Sequence, residues 1–415
     1  MQTPFVKGFQ NAAFLSGGTL ISQVIGFVGF LFIARLLGPE KYGIYATVFA
    51  FVSFFHLFVL NGLSKIVVRE GSRSESDLPS ILEKTIGLRL FLIGTAFVLC
   101  VVSSFFTNYS PQVKVLIILF STEVMYFGLD SFLGAIYQTK ERMEYLSYFS
   151  VLTRILVAGF SILALYLGAG VGVILLVNVF FKGGVLCLNY FVSRKFARFR
   201  WNFKFNLDPS IMKPLLVFSL MGFINTFAVR IDILMISFLS TPTDVGLYSV
   251  AHEIGREGLM LRNVIAMAFF PIAVKYFAAN KLKKHTLLLY GVGLAAVVFF
   301  GCVFIYYFGE DLVLLLFKQK YAASGSILKI LVFYLPFTFF SLPFATCLQA
   351  THNESALLTV YSLTALTNIP LNIILFYRFG LIGIAYSTII VFMVESLLIL
   401  ILFYTRFRKQ GLLHP

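Results

Sequence analysis

The sequence has 415 residues, of which 59% are hydrophobic and only 12% are charged. Ordinary soluble domains contain about 45–50% apolar and about 25% charged residues, so this composition excludes an ordinary soluble globular protein. Because a bilayer-spanning helix needs only about 20 mostly apolar residues, the composition indicates an all-α, polytopic integral membrane protein.

Clusters of polar, charged, glycine and proline residues divide the chain into twelve predicted transmembrane helices. In chain order they cover residues 12–35, 42–63, 86–106, 113–137, 146–167, 171–192, 214–238, 246–275, 286–308, 327–351, 356–377 and 381–405. An even number of spans places both termini on one side of the membrane. The predicted loops are too short to form a soluble catalytic domain, so we expect the protein to act between its helices.

The net charge of +15 is explained by where the basic residues lie. Twenty Lys and Arg residues fall in loops on the side of the termini, seven fall on the opposite side and six lie within spans. Because basic loops stay in the cytoplasm, this distribution predicts cytoplasmic N and C termini and requires no nucleic-acid partner. The connection 193–213 mixes basic and aromatic residues, so we expect it to lie at the cytoplasmic membrane surface.

A short motif occurs twice in the chain. Leu36, Pro39, Gly43 and Tyr45 recur at a constant offset of 203 residues in the turn at 239–248. Because six is an even number of spans, two six-helix halves would have the same orientation in the membrane. Such halves are related by a pseudo-two-fold axis along the membrane normal, which is typical of transporters. We therefore predict two six-helix lobes with a central cavity. The predicted parts are an N-terminal lobe at 1–192, a basic cytoplasmic linker at 193–213 and a C-terminal lobe at 214–415.

Three parts of the chain resemble one family of transporters. Residues 34–45, ARLLGPEKYGIY, resemble the first-hairpin signature of the polysaccharide-biosynthesis flippases, which are Wzx-type lipid-linked oligosaccharide translocases related to the MATE exporters. Residues 230–232 with 245–251 are similar to that family's seventh-to-eighth hairpin. Residues 348–385, which include Asn368 and Asn372, resemble its tenth-to-twelfth spans.

The resemblance implies a MOP/MATE-like bundle that moves undecaprenyl-diphosphate-linked oligosaccharide repeat units outward by alternating access. It implies a monomer in a bacterial cytoplasmic (inner) membrane that serves surface polysaccharide biosynthesis, with the polysaccharide polymerase machinery as a partner. Such a flippase is not an enzyme and needs no cofactor, although H⁺ or Na⁺ can drive it. Twelve spans rather than the fourteen of peptidoglycan lipid flippases make a cell-wall precursor a less expected cargo.

Charged residues inside the spans are the candidate site. A charge at the bilayer centre costs at least about 2.5–3.5 kcal/mol, so it must face a cavity or a partner. Arg154 lies near the middle of the fifth span, and Lys182 lies near the middle of the sixth, with Asn178 one turn before it. Neither span contains an acidic residue, so we predict that these side chains bind the diphosphate of the cargo. The other candidate ligands in the central cavity are Arg230, Arg256 and Arg262.

An alternative interpretation pairs the six in-span cations with the six in-span acids and gives them only a structural role. Glu253 and Arg256 are three residues apart on one helix, so we predict a local ion pair there. The candidate ion-coupling acids are Glu123, Asp130, Asp232 and Glu395. A carboxylate shielded from water can bind a proton or Na⁺, although the same residue could instead bridge two helices.

Two rival functions remain open. A MATE-type drug or metabolite exporter would share the two-lobed plan, but the cations of the fifth and sixth spans disfavour a cationic drug. A membrane enzyme such as a sugar polymerase or ligase would normally need a sizeable outer loop. The four cysteines and five histidines form no metal-binding pattern, so we predict neither a metal site nor catalytic residues.

Overall fold

All regular structure in the described residues is helical. This computed structural model describes residues 4–59, 62–201, 230–278, 284–351 and 353–409, together with positions 219, 220, 224 and 227. The α-helices in chain order are α1 (Pro4–Leu37), α2 (Pro39–Phe54), α3 (Gly62–Arg73), α4 (Leu78–Phe105), α5 (Pro111–Phe120), α6 (Thr122–Thr139), α7 (Met143–Tyr166), α8 (Val171–Ser193), α9 (described over 230–239), α10 (Pro242–Ala278), α11 (Lys284–Phe317), α12 (Ala322–Leu331), α13 (Tyr334–Ala350), α14 (Glu354–Phe379) and α15 (Leu381–Lys409).

The helices of the described residues confirm a multi-pass membrane protein. Nine helical segments are long and apolar enough to cross a bilayer, and α2 with α3 makes a tenth if this bent pair counts as one span. The predicted eighth span is helical as α10, but it carries five charged residues between positions 244 and 262. Most of the predicted seventh span, 214–238, lies outside the described residues. The number twelve and the two-fold relation between the halves stay predictions.

Three predicted spans are interrupted rather than continuous. The span at 42–63 is divided between α2 and α3, and the span at 113–137 is divided between α5 and α6 at Ser121. The third break separates α12 from α13. Pro336 has no N–H to donate to the carbonyl of Val332, four residues earlier. That carbonyl accepts instead from the Leu335 N–H at 3.0 Å and from the Cys302 thiol at 3.2 Å. The proline therefore lies in the first turn of α13 instead of kinking a continuous helix.

The chain divides into two compact units, Met1–Arg230 and Ile231–Pro415, called here the first and second units. In the first unit, α3, α4 and α6 form a core with the segment after α8, whose Phe199 is 7% exposed. In the second unit, α13, α14 and α15 pack around Phe344 and Phe403. Residues 202–213 of the predicted linker lie outside the described residues, and the predicted lobe boundaries stay predictions.

The α1–α7 seam is a close helix contact that positions a candidate site residue. Small residues allow the two backbones to approach, as a Cβ on Gly18 would collide with Ser147. The hydroxyls of Ser22 and Ser150 hydrogen bond across the seam at 2.8 Å. One turn further along, the seam holds Arg154 of α7 against α1.

Candidate functional site

Arg154 lies near the middle of α7 and is exposed. Its guanidinium is adjacent to Gly26 of α1, where a Cβ would lie 3.4 Å from Nη1. Among the described residues, no carboxylate forms an ion pair with Arg154. The structure therefore shows no acidic residue that neutralises this guanidinium within the described part of the chain, and the role of Arg154 in cargo binding stays a prediction.

Lys182 of α8 has a different environment. Its Nζ lies 2.7 Å from Oε1 of Glu123 in α6, and the two side chains are only 16% and 10% exposed. The ammonium also lies over the rings of Phe49 and Tyr126, at 5.8 Å and 5.4 Å from their centroids. The fifth and sixth spans contain no acid, but the fourth supplies one, so this contact corresponds to the alternative interpretation. A role for Lys182 in cargo binding stays a prediction.

Asp130 lies two turns beyond Glu123 on α6. Its Oδ1 accepts a hydrogen bond from Nδ2 of Asn189 at 3.1 Å, and Asn189 accepts one from Tyr137 at 2.7 Å. Glu123, Asp130 and Arg154 all act electrostatically on Tyr126, so four predicted charges, including Lys182, surround this ring. Asn178, another predicted ligand, has a hydrogen bond within its own helix, because its amide nitrogen donates to the Ile174 carbonyl at 3.0 Å. We call Glu123, Tyr126, Asp130, Arg154 and Lys182 the Tyr126 cluster.

The second unit contains a buried carboxylate without a basic partner among the described residues. Asp232 is 3% exposed and accepts hydrogen bonds from Asn372 at 2.8 Å, Thr388 at 2.9 Å and Tyr248 at 3.1 Å. Asn368 also hydrogen bonds to this carboxylate. We call these five residues the Asp232 cluster. Four helices supply it, namely α9, α10, α14 and α15.

The Asp232 cluster fits a small hard cation or a proton. Oδ1 of Asn372 is buried and has no hydrogen-bond partner among the described residues, while the amide nitrogen of Asn372 and the Thr388 hydroxyl both donate to the Asp232 carboxylate. Oxygen atoms of this kind are the ligands that hard cations prefer. Among the described residues, no cluster of three or more His, Cys, Asp or Glu residues could hold a metal ion. Binding of Na⁺ or H⁺ by this cluster stays a prediction.

The remaining predicted residues have separate partners. Glu253 and Arg256 form the predicted local ion pair at 2.5 Å. Arg262 donates from Nε to the Thr338 carbonyl at 2.9 Å and is the cation that acts on Glu395. Thr364 donates to Glu395 at 3.4 Å.

Arg230 lies at the end of the first unit and acts on His56, whose ring stacks on Phe127 with the centroids 3.9 Å apart. Sequence reasoning did not assign Phe49, Tyr126, Tyr248 or Thr388 to a site. A usable signal was the occurrence of polar residues in apolar spans, such as Asn368 and Asn372 one helical turn apart.

Long apolar helices with charged groups at their centres define a membrane protein of the transporter type. The chain belongs to the polysaccharide biosynthesis protein family, whose model matches residues 9–277. The model of the MatE family matches residues 218–374. None of the curated proteins matches the chain.

Three solved structures share the fold at low sequence identity. The lipid II flippase MurJ in an inward closed conformation is 15% identical, with a TM-score of 0.75 over 93% of this chain and 86% of that chain. An inward-facing multidrug resistance MATE family transporter is 16% identical, with a TM-score of 0.73 over 93% and 95%. A MOP superfamily transporter from Pyrococcus furiosus, described as having a binding pocket of reverse polarity, is 15% identical, with a TM-score of 0.67 over 95% of both chains. The fold is therefore that of the MOP superfamily.

Proposed function

We propose that the protein is a flippase that moves undecaprenyl-diphosphate-linked oligosaccharide repeat units outward across a bacterial cytoplasmic membrane. Arg154 carries this proposal, because it is an exposed guanidinium near the middle of a membrane-spanning helix and pairs with no carboxylate of the described residues. Such a cation is unfavourable in lipid unless it meets water or an anion. A diphosphate is a suitable anion, since a guanidinium can donate two parallel hydrogen bonds to its oxygens.

The remaining residues receive roles that follow from their surroundings. Lys182 lies near the same Tyr126 ring as Arg154 and is a second hydrogen-bond donor to the diphosphate. The Asp232 cluster binds the coupling cation, Na⁺ or H⁺. Alternating access then moves the cargo without making or breaking a covalent bond, so neither a catalytic residue nor a cofactor is required. The flippase acts as a monomer and delivers its cargo to the polymerase machinery of a surface polysaccharide such as O-antigen, capsule or exopolysaccharide.

A cation-coupled drug or metabolite exporter of the MATE type is the alternative. The match of the MatE family model to residues 218–374 supports it, as does the fold. The charges favour the flippase. Arg154 of the Tyr126 cluster forms no ion pair with a carboxylate of the described residues, and the positive charge of this guanidinium would repel a cationic drug beside it.

The test uses proteoliposomes that contain a fluorescent polyprenyl-diphosphate-linked sugar and the variant Arg154→Gln. Loss of charge-assisted hydrogen bonds should slow translocation of the sugar lipid roughly 10- to 100-fold, because each such bond contributes about 1.5–3 kcal/mol. Translocation is measured as the fraction of the label that becomes accessible to a membrane-impermeant quencher.

Arg378→Gln is the matched control, because this arginine is exposed in the last turn of α14. It should translocate at the wild-type rate. An unchanged rate in Arg154→Gln would remove Arg154 from the site. Failure of the wild type to move the sugar lipid, together with ethidium export from the same vesicles, would favour the exporter.

A further inference from the structure

The ion pair between Glu123 and Lys182 is incomplete on its acidic side. Oε1 of Glu123 binds the ammonium at 2.7 Å, but Oε2 is buried and has no hydrogen-bond partner in the part of the chain that the structure describes. Aromatic rings surround the pair, with Phe49 from α2 and Tyr126 from α6 facing the ammonium. Within the described part of the chain, the contact with Lys182 is therefore the one ion pair of this carboxylate.

The other ionisable groups near Glu123 do not replace that contact. On its own helix, Asp130 repels it, and Tyr126 presents its ring to Lys182. Arg154 of α7 lies against Gly26, and His56 of the 55–57 turn stacks on Phe127. Arg89 of α4 donates to the Val59 carbonyl at 3.0 Å and to the Ser64 hydroxyl at 2.5 Å.

Given the proposed function, a cargo diphosphate competes with Glu123 for the same ammonium. A diphosphate has more negative charge and more acceptor oxygens than a carboxylate, so it can displace Oε1 from Nζ of Lys182. Glu123 would then have no hydrogen-bond donor to either oxygen among the contacts of the described residues. An isolated buried carboxylate in that position is more stable as the neutral acid.

We propose that binding of the diphosphate at Lys182 is accompanied by the uptake of one proton on Glu123. The proton comes from water on the side where the cargo loads, and it is released when the cargo leaves and Lys182 pairs with Glu123 again. Cargo and proton together bring less negative charge into the membrane than the diphosphate alone. Glu123 is thus a positioning residue that acts through Lys182, and no bond other than the O–H bond of the acid forms or breaks.

The experiment measures proton uptake by titration calorimetry on the full-length protein in detergent, with farnesyl diphosphate as the probe. The titration is run in two buffers that differ in ionisation enthalpy, at a pH where the diphosphate is fully ionised. For the wild type, the difference in heat should correspond to one proton taken up per diphosphate bound. Glu123→Gln should bind about tenfold more tightly, because its Lys182 is free, and should take up no proton.

Glu310→Gln is the matched control, since Glu310 forms an ion pair with Lys329 at 2.8 Å on α11 and α12, outside the Tyr126 cluster. It should retain the wild-type proton uptake. Diphosphate binding by the wild type with equal heat in both buffers would overturn this inference and leave the flippase proposal intact. No binding of farnesyl diphosphate by the wild type would instead count against the proposed function. If Glu123→Gln does not fold, the wild-type measurement in two buffers still decides.

Discussion

Charged residues within the membrane-spanning helices of this protein differ in whether protein groups satisfy them. Arg89 is fully buried, and its acceptors are a carbonyl at the break between α2 and α3 and the Ser64 hydroxyl. These contacts tie α4 to α3 and to the segment before it, so Arg89 has a structural role. Arg154 and the Asp232 carboxylate have no oppositely charged partner among the described residues. For that reason the proposed function assigns ligands to these two groups.

The surroundings of Asp232 lead to a testable prediction about sodium binding. If the cluster binds Na⁺, sodium at about one hundred times its Kd should stabilise the folded protein by about 2.7 kcal/mol, because the ion binds only the folded state. Asp232→Asn should lose this stabilisation, since the amide carries no charge to hold the ion. The measurement is the thermal unfolding midpoint in sodium chloride compared with choline chloride at equal ionic strength.

Asp244→Asn is the control for that measurement. Asp244 accepts hydrogen bonds from the hydroxyls of Ser240 and Thr241 at the start of α10, outside the Asp232 cluster. Its sodium-dependent shift should equal that of the wild type. An undiminished shift in Asp232→Asn would exclude the site, and a wild-type midpoint that responds to pH but not to sodium would identify H⁺ as the ion.

At the residue scale, the sequence predicts contacts within one helix better than contacts between helices. The Glu253–Arg256 pair follows from a spacing of three residues and is confirmed. Lys182 and Glu123 are 59 residues apart on different helices, so no spacing rule could pair them. Asp232 was predicted as an ion site from its charge, but its hydrogen-bond partners come from three other helices and depend on packing.

At the scale of helices, interruptions were the main feature that hydropathy missed. A hydropathy window averages over a break, whereas the break depends on single residues such as Pro336 and Ser121. Local sequence does contain some of this information. Pro39 and Pro242, which belong to the repeated motif, begin α2 and α10, where the missing N–H of a proline has no helical partner to lose. Gly38 precedes α2 with a φ of 77°, which favours glycine.

The α1–α7 seam gives a prediction about helix packing. Gly18→Ala should destabilise the protein by about 1–3 kcal/mol, because its Cβ would collide with the Ser147 side chain and lie 3.1 Å from the Ser147 Cα. Gly17→Ala is the adjacent control, since a Cβ there meets nothing within 4 Å. Alanine also favours helix over glycine, so this control should be neutral or stabilising. Thermal unfolding of both purified variants measures the difference, and equal midpoints would contradict the close contact.

At the scale of the whole molecule, composition predicted the class and the family resemblance predicted the superfamily. Composition was sufficient for the class because a multi-pass protein must expose apolar side chains to lipid. The number of spans is harder to predict, because charged segments such as α10 depend on neighbouring helices rather than on their own hydropathy. The orientation of the protein in the membrane depends on the charge of its loops, and the structure of the first unit shows at which end of its helices the basic residues lie.

Basic residues of the first unit gather at one end of its helices. The backbone N–H of Arg200 donates to Glu83, near the start of α4, at 2.9 Å. Tyr145, at the start of α7, packs on Phe196 with the centroids 5.1 Å apart. The starts of α4 and α7 therefore lie at the same end as the segment after α8. Exposed cations at this end are Lys84, Arg142, Arg194, Lys195, Arg198 and Arg200.

The positive-inside rule predicts that this end faces the cytoplasm, and the two ends of α7 provide a matched test. Arg142→Cys precedes α7 and Leu167→Cys follows it, and both native side chains are exposed. In a background without the four native cysteines, a membrane-impermeant maleimide should label Leu167→Cys in intact cells. It should label Arg142→Cys only after the membrane is opened. The reverse pattern would contradict the predicted cytoplasmic position of this end of the first unit.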